Sequence, residues 1–230
     1  MLIALDLEGT LLDGELFPEI GLKLGLGGEL GAITRDAMSG DLPFEKALRR
    51  RVELIRGVPM SSIRSVADTI PLTRGAEETI QILRHMGLTP AIITGGFDFL
   101  ARRAADRLQI DHVYANHFAE KDGMVAGLAS PVVTPRVKAE HLKRLAGELG
   151  VPLGRCVAVG DGANDIPMLC TAGLSVAFNA PPRVREAACV VVAGNDLRAI
   201  LPLVARHLDE TPAQVHEAQL VQMPTQRMGR

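Results

Sequence analysis

Six short stretches of the chain are apolar at nearly every position: residues 2–6 (LIALD), 88–94 (LTPAIIT), 112–116 (HVYAN), 156–161 (CVAVGD), 174–178 (LSVAF) and 189–193 (CVVVA). A strand with one wet face alternates apolar and polar residues, whereas a strand covered on both faces reads as an unbroken apolar run. Between these runs, residues 75–87, 97–108, 137–149 and 195–207 place their apolar side chains at helical spacing. Strands alternating with helices predict an α/β fold, a doubly wound parallel sheet with right-handed crossovers.

Two regions depart from the alternation. Residues 14–71 hold no buried-strand pattern but several helical ones, which predicts a helical lobe inserted after the first strand. Residues 117–129 (HFAEKDGMVAGLA) set Asp122-Gly123 between β-prone residues, the signature of a tight hairpin. The expected organisation is an α/β core of residues 1–13 and 72–208, a helical cap of residues 14–71, and a C-terminal extension of residues 209–230. That extension is rich in glutamine and contains two prolines, consistent with a loose or weakly docked segment.

Composition narrows the classes. Of 230 residues, 47% are hydrophobic and 23% charged, so the chain can bury a sizeable core. A net charge of −2 offers no electrostatic footprint for nucleic acid or an anionic membrane, and with no tryptophan and one tyrosine there is no base-stacking platform. The three cysteines are scattered without a CxxC pair, which argues against a disulfide framework or a zinc site. No apolar leader with a basic flank and no run long enough to span a bilayer is present, so a soluble, cytoplasmic protein is expected, without nucleic-acid or membrane partners.

The chemistry-bearing residues stand at the carboxyl ends of the predicted strands, where open α/β sheets bind their ligands. Asp6 and Glu8 follow the first run, Thr94-Gly95-Gly96 the second, and Gly160-Asp161 through Asp165 the fourth. Carboxylates gathered at about 4 Å repel by roughly 4 kcal/mol per pair at an effective dielectric near 20, so the cluster requires a cation. An all-oxygen donor set selects a hard ion, and Mg²⁺ is the usual choice where a phosphate completes the shell. A threonine hydroxyl and glycine amides at the positive end of a helix make an anion site without a charged side chain.

The insert adds one anomaly. On a helix over residues 44–56, Phe44, Ala47, Leu48, Val52, Leu54 and Ile55 form one face, and Glu45, Lys46, Arg49, Arg50, Glu53 and Arg56 the other. Arg51 falls in the middle of the apolar face. A guanidinium there keeps its charge and must meet an anion, either a ligand or an internal partner such as Glu15.

Together, DLEGT at residues 6–10, TGG at 94–96, Lys138 and GDGAND at 160–165 resemble the four motifs of the haloacid-dehalogenase-like phosphatases. The likeness runs through about residue 205. MSGDLPFEKALRRRVELIRG and ITGGFDFLARRAADRL are similar to the phosphoserine phosphatase branch. The resemblance implies a Mg²⁺-dependent phosphomonoesterase that hydrolyses O-phosphoserine, a small-molecule phosphate ester, through an aspartyl-phosphate, working as a monomer or homodimer. It makes Asp6 the nucleophile and Glu8 the acid/base, a position where most of the family has aspartate. Glu8 leaves open a phosphotransferase that passes the phosphoryl group to homoserine or a similar alcohol, or a phosphatase for another small ester. By the same likeness, Thr94, Gly95, Lys138 and Asn164 bind phosphate. Asp6, the backbone carbonyl of Glu8 and Asp161 hold the metal, and Asp165 holds a metal-bound water or Lys138. Glu15, Met38, Phe44 and Arg51 contact the substrate, with Glu15 receiving its ammonium and Arg51 its carboxylate.

Overall fold

The computed structural model describes residues 1–39 and 42–210, with Met38 and Ser39 described through their backbone alone. All six apolar runs are strands of one parallel sheet: β1 (Leu2–Leu5), β2 (Thr89–Phe97), β3 (His112–Asn116), β6 (Cys156–Gly160), β7 (Leu174–Phe178) and β8 (Val190–Val192), in the order β3-β2-β1-β6-β7-β8. Ile3 and Leu5 join one buried cluster, while Leu2 and Ala4 join a second on the opposite face. Burial on both faces is why the central strands read as continuous apolar runs, while at the edges β3 is only half-buried and Val191 of β8 is exposed.

Helices α5 (Ala76–His85), α6 (Asp98–Leu108) and α7 (Pro135–Glu148) connect the strands and turn their apolar stripes inward. The pattern predicting a helix over 195–207 resolves into a 3₁₀ turn, Leu197–Ile200, followed by α10 (Leu201–Glu210). Pro202 accounts for the break: without an N–H, proline is tolerated only in the first turn of a helix, so a new helix starts one residue before it. Two short helices, α8 (Ile166–Leu169) and α9 (Pro182–Ala187), complete this half of the molecule.

Between β1 and α5 the chain forms four helices: α1 (Leu16–Leu24), α2 (Gly27–Ser39), α3 (Phe44–Leu54) and α4 (Met60–Ala67). The segments entering and leaving this stretch run side by side, with the Asp13 amide donating to Pro71 O and the Thr73 amide to Leu11 O. On α3, Ala47, Leu48 and Val52 are buried as the spacing requires, and Ile55 follows them just beyond the helix end. Leu54, placed by the pattern on the apolar face, is exposed at the last turn. One position near a helix end is where a 100° step carries a side chain off the stripe.

The Asp122-Gly123 hairpin forms from β4 (Phe118–Lys121) and β5 (Met124–Leu128), and both turn residues take positive φ, 52° and 73°, as a two-residue turn of this kind requires. It docks onto the helical insert through backbone hydrogen bonds, Gly57 N–H to Val125 O, Val125 N–H to Val58 O and Met60 N–H to Gly123 O. Alternating patterns cannot foretell this attachment.

Five of the chain's few aromatic rings lie near this junction of sheet, insert and hairpin. The Phe97 ring stacks on Phe118 at 3.8 Å and meets Phe17 of α1 edge-on at 5.9 Å, with Phe99 beside both stacked rings. Phe44 packs against the same apolar cluster. Phe97 is 1% exposed. Truncating it to alanine is expected to lower the unfolding free energy by about 3–5 kcal/mol, the usual cost of a large core cavity. Urea denaturation of Phe97→Ala measures it, and a loss below about 1 kcal/mol would mean the stack contributes little to the core.

Candidate active site

The site begins where β1 ends. The Asp6 amide is held by Val159 O of β6, the neighbouring strand, so Asp6 leaves the sheet beside the residues that follow Gly160. Adjacent parallel strands thereby deliver Asp6 and Asp161 to one place. Asp165 joins them from the 3₁₀ turn over residues 163–165. One oxygen from each of Asp6, Asp161 and Asp165 lies within 4.8 Å of the others.

Gly9 makes this approach possible. Its φ of 80° suits glycine, and a Cβ there would stand 2.4 Å from Asp161 Oδ2. Thr10, fully buried, donates its hydroxyl to Asp161 Oδ1 at 2.9 Å. The Asp165 carboxylate is occupied on both oxygens: Oδ2 accepts the Gly162 amide at 2.9 Å, and Oδ1 accepts from Lys138. Lys138 rises from the first turn of α7, is 0% exposed, and places Nζ 2.6 Å from Asp6 Oδ1.

The electrostatics follow from this crowding. Burial, then the negative charges of Asp6 and Asp165, push the Asp161 carboxyl well above the carboxylate range, against the Thr10 hydrogen bond and the Lys138 charge. Burial and Asp6 likewise raise Asp165, with Lys138 and the Gly162 amide opposing. Burial favours a neutral Lys138, but the charges of Asp165 and Asp6 outweigh it and hold the ammonium firmly protonated. Among the described residues, that single ammonium is the cation paired with this cluster. Three carboxylates against one ammonium leave a negative, all-oxygen pocket, which fits a hard divalent metal. Asp6 and Asp161 would hold such an ion.

Glu8 explains its own length. Its Oε1 accepts the amide of Leu16, the first residue of α1, at 2.6 Å. Its Oε2 rests against Gly96, where a Cβ would be only 2.3 Å away. The extra methylene is thus folded back between a helix N-terminus of the insert and the glycine loop. Burial is the main cause that lifts this carboxyl to about 7, while the Leu16 amide pulls the other way.

The Thr94-Gly95-Gly96 segment does not end its strand as the sequence suggested; β2 continues through it to Phe97. The pairing with β3 shifts between Ile93 and Phe97, so the three residues bulge out of the ladder before α6 starts at Asp98. Thr94 is buried, and its hydroxyl accepts the Gly96 amide at 2.9 Å, leaving its own hydrogen to donate. Asn164 reaches the same loop, its Nδ2 standing 3.5 Å from where a Gly95 Cβ would be.

From the insert, the Phe44 ring closes over the loop: Cζ lies 2.7 Å from the position a Gly95 side chain would need. Arg51 sits on the inner face of α3 with its guanidinium 5.7 Å from the Phe17 ring centre and Nη2 donating to Thr34 Oγ1 at 3.1 Å. Among the described residues its buried Nε has no hydrogen-bond partner. Burial lowers its pKa, opposed by the charges of Glu15 and Glu8. The internal ion pair with Glu15 is not formed; Glu15 is the exposed N-cap of α1, and among the described residues no carboxylate is salt-bridged to Arg51. The Met38 side chain lies outside the described residues. Sequence reasoning assigned no role to Thr10, although it lies inside the first motif, or to Thr34 and Asn116, polar residues whose partners are far away along the chain.

Acidic side chains and a buried ammonium beyond the carboxyl ends of neighbouring parallel strands define an α/β enzyme centre built to handle an anion. The chain belongs to the haloacid dehalogenase-like hydrolases, whose family model matches residues 1–173. It is 39% identical over 204 residues to the phosphoserine phosphatase of Methanocaldococcus jannaschii, spanning 88% of this chain and 97% of that one. It is 40% identical over 205 residues to the phosphoserine phosphatase of Haemophilus influenzae, covering 89% of this chain but 65% of that longer protein. A solved structure titled as the phospho-aspartyl intermediate analogue of phosphoserine phosphatase matches with a TM-score of 0.84 at 39% identity, over 88% of this chain and 98% of that one. Among the described residues, no helix is long and apolar enough to cross a membrane.

Replacing Lys138 by methionine removes the one positive charge among buried carboxylates, a change that typically costs about 3–5 kcal/mol. In the presence of a chelator, Lys138→Met should melt well below the wild type, and added divalent metal should recover more of its melting temperature than it adds to the wild type. Thermal melts with and without metal test this; equal metal stabilisation of both proteins would separate Lys138 from the metal pocket.

Proposed function

We propose that this protein hydrolyses O-phosphoserine to serine and inorganic phosphate through an aspartyl-phosphate on Asp6, with Mg²⁺ as its divalent metal. The observation that carries the reading is the buried Lys138 Nζ poised between Asp6 and Asp165, a cation held against the nucleophile. Its relatives' names support the same chemistry.

The residues take the following parts. Lys138, the Thr94 hydroxyl, the Gly95 amide and Asn164 bind the phosphoryl oxygens and aim the phosphorus at Asp6. An Asp6 oxygen forms a bond to phosphorus as the bond from phosphorus to the serine oxygen breaks, and Glu8 gives its proton to that leaving oxygen. In the second half, Glu8 takes a proton from water as the water oxygen bonds to phosphorus and Asp6 departs as a carboxylate. Asp6, Asp161 and the Glu8 carbonyl would hold Mg²⁺, which would neutralise charge on the transferring group. Asp165 fixes Lys138.

Residues 14–71 serve as a cap that closes over the substrate. Phe44 covers the glycine loop, and the unpaired edge of Arg51 receives the substrate carboxylate, for which a planar fork is suited. Glu15 and Met38 complete the recognition of the amino acid, Glu15 through the substrate ammonium. Closure excludes bulk water and strengthens each charge inside.

Two substitutions test the assignment. Asp6→Asn keeps the shape but removes the nucleophile, so turnover of phosphoserine should fall to a trace with the fold intact by circular dichroism. Retained activity would remove Asp6 from its role. Arg51→Ala should raise KM for phosphoserine by about tenfold or more while leaving esters without a carboxylate little changed, the pattern of a lost charge-assisted contact. An equal loss across a panel of phosphate esters would make Arg51 a structural residue instead.

A further inference from the structure

Asn116 takes no part in the reaction as drawn, yet it holds together two of the elements that bind phosphate. The β2–β3 ladder pairs Ile93 with Tyr114 and Phe97 with Asn116, so residues 94–96 stand opposite the single residue Ala115. Regular ladder bonds are interrupted across such a bulge, and two of its three residues are glycines with little conformational preference of their own. A loop of this kind needs an anchor from outside the ladder.

Asn116, at the end of the edge strand β3 and 0% exposed, supplies one. Its Nδ2 donates to Gly95 O at 2.8 Å, and its Oδ1 accepts the Val133 amide at 2.7 Å. Val133 directly precedes Thr134, the N-cap of α7, whose hydroxyl accepts the Val137 amide. Lys138 is the next residue. One side chain therefore ties the glycine bulge to the start of the helix that delivers the ammonium.

We propose that Asn116 is a positioning residue for phosphate: by fixing the Gly95 carbonyl it sets the peptide planes of the glycine bulge, and by fixing Val133 it registers that bulge with Lys138. Donors aimed at an anion are effective in proportion to how little they must reorganise when it arrives, and a two-glycine bulge without this anchor would have to be ordered by the ligand itself. The role concerns the phosphoryl group and not the amino acid. It rests on the phosphate-binding parts proposed above for the bulge and Lys138, while only the serine arm of its test depends on the substrate being phosphoserine.

The test compares wild type, Asn116→Asp and Asn116→Ala in product inhibition by inorganic phosphate and by serine. Aspartate keeps an acceptor for Val133 but sets a carboxylate oxygen against the Gly95 carbonyl; alanine removes both contacts. In both variants the inhibition constant for phosphate should rise about tenfold or more and kcat should fall by a similar factor, while the constant for serine stays within about twofold. The far-ultraviolet circular dichroism should match the wild type. Wild-type phosphate inhibition in Asn116→Asp would show the Gly95 contact dispensable and overturn the proposal. So would parallel weakening of phosphate and serine, or failure of both variants to fold, since either assigns Asn116 to the fold at large. A wild type inhibited by phosphate but not by serine would instead sink the phosphoserine reading, and the phosphate constants would still decide the role of Asn116.

Discussion

The structure turns on a buried ammonium. Lys138 is shut away from water, yet it stays charged because Asp6 and Asp165 face it directly. Breaking either contact would leave a charge buried without its partner, so each of the three residues fixes the other two. The sheet supplies this geometry by ending neighbouring strands at one level: β1 presents Asp6, β6 presents Asp161 and, through the 3₁₀ turn, Asp165. Helix α7, packed through Leu142, Leu145 and Ala146 on the sheet face that carries Leu2, Ala4 and Ala91, brings the lysine to them.

The same economy of space appears at four glycines of the site. Gly9 admits the Asp161 carboxylate, Gly160 leaves room for Asp165, Gly95 lies beneath Phe44 and Gly96 beneath Glu8. A side chain at any of these positions would meet a functional atom within 2.7 Å. The glycines are therefore required by close approach as much as by backbone conformation, and only Gly9 among the four also takes a strongly positive φ.

Glu8 joins the sheet to the insert by reaching the first amide of α1, whereas Arg51 stays within the insert, donating to Thr34 beside the Phe17 ring, with its Nε lacking a hydrogen-bond partner among the described residues. The aromatic group around Phe97 lies close by, with Phe17 from the insert, Phe118 from the hairpin and Phe99 from α6. Flat rings, one anchored carboxyl and a guanidinium bonded to Thr34 through Nη2 thus meet where the sheet and the insert adjoin. The hairpin belongs mechanically to the insert, since its backbone bonds run to residues 57–60.

Much of this was legible from the chain alone. The central strands were readable because they are buried on both faces, which leaves an unbroken apolar run, and the half-buried edge strands β3 and β8 were readable from the same apolar runs. The helices between β1 and α5 were readable where that pattern stops, and Arg51 as the charge the stripe of α3 could not explain. Only the tertiary structure decided the rest. It showed the glycine segment to be a bulge inside β2, Arg51 without Glu15 as its salt-bridge partner, Leu54 at the surface, and Asn116 between two loops. The physical reason is sequence distance: periodicity reports which face of an element is apolar, but Lys138 meets Asp6 across 132 positions. Pairings of that span are chosen by the packing of whole elements, and no local pattern carries them.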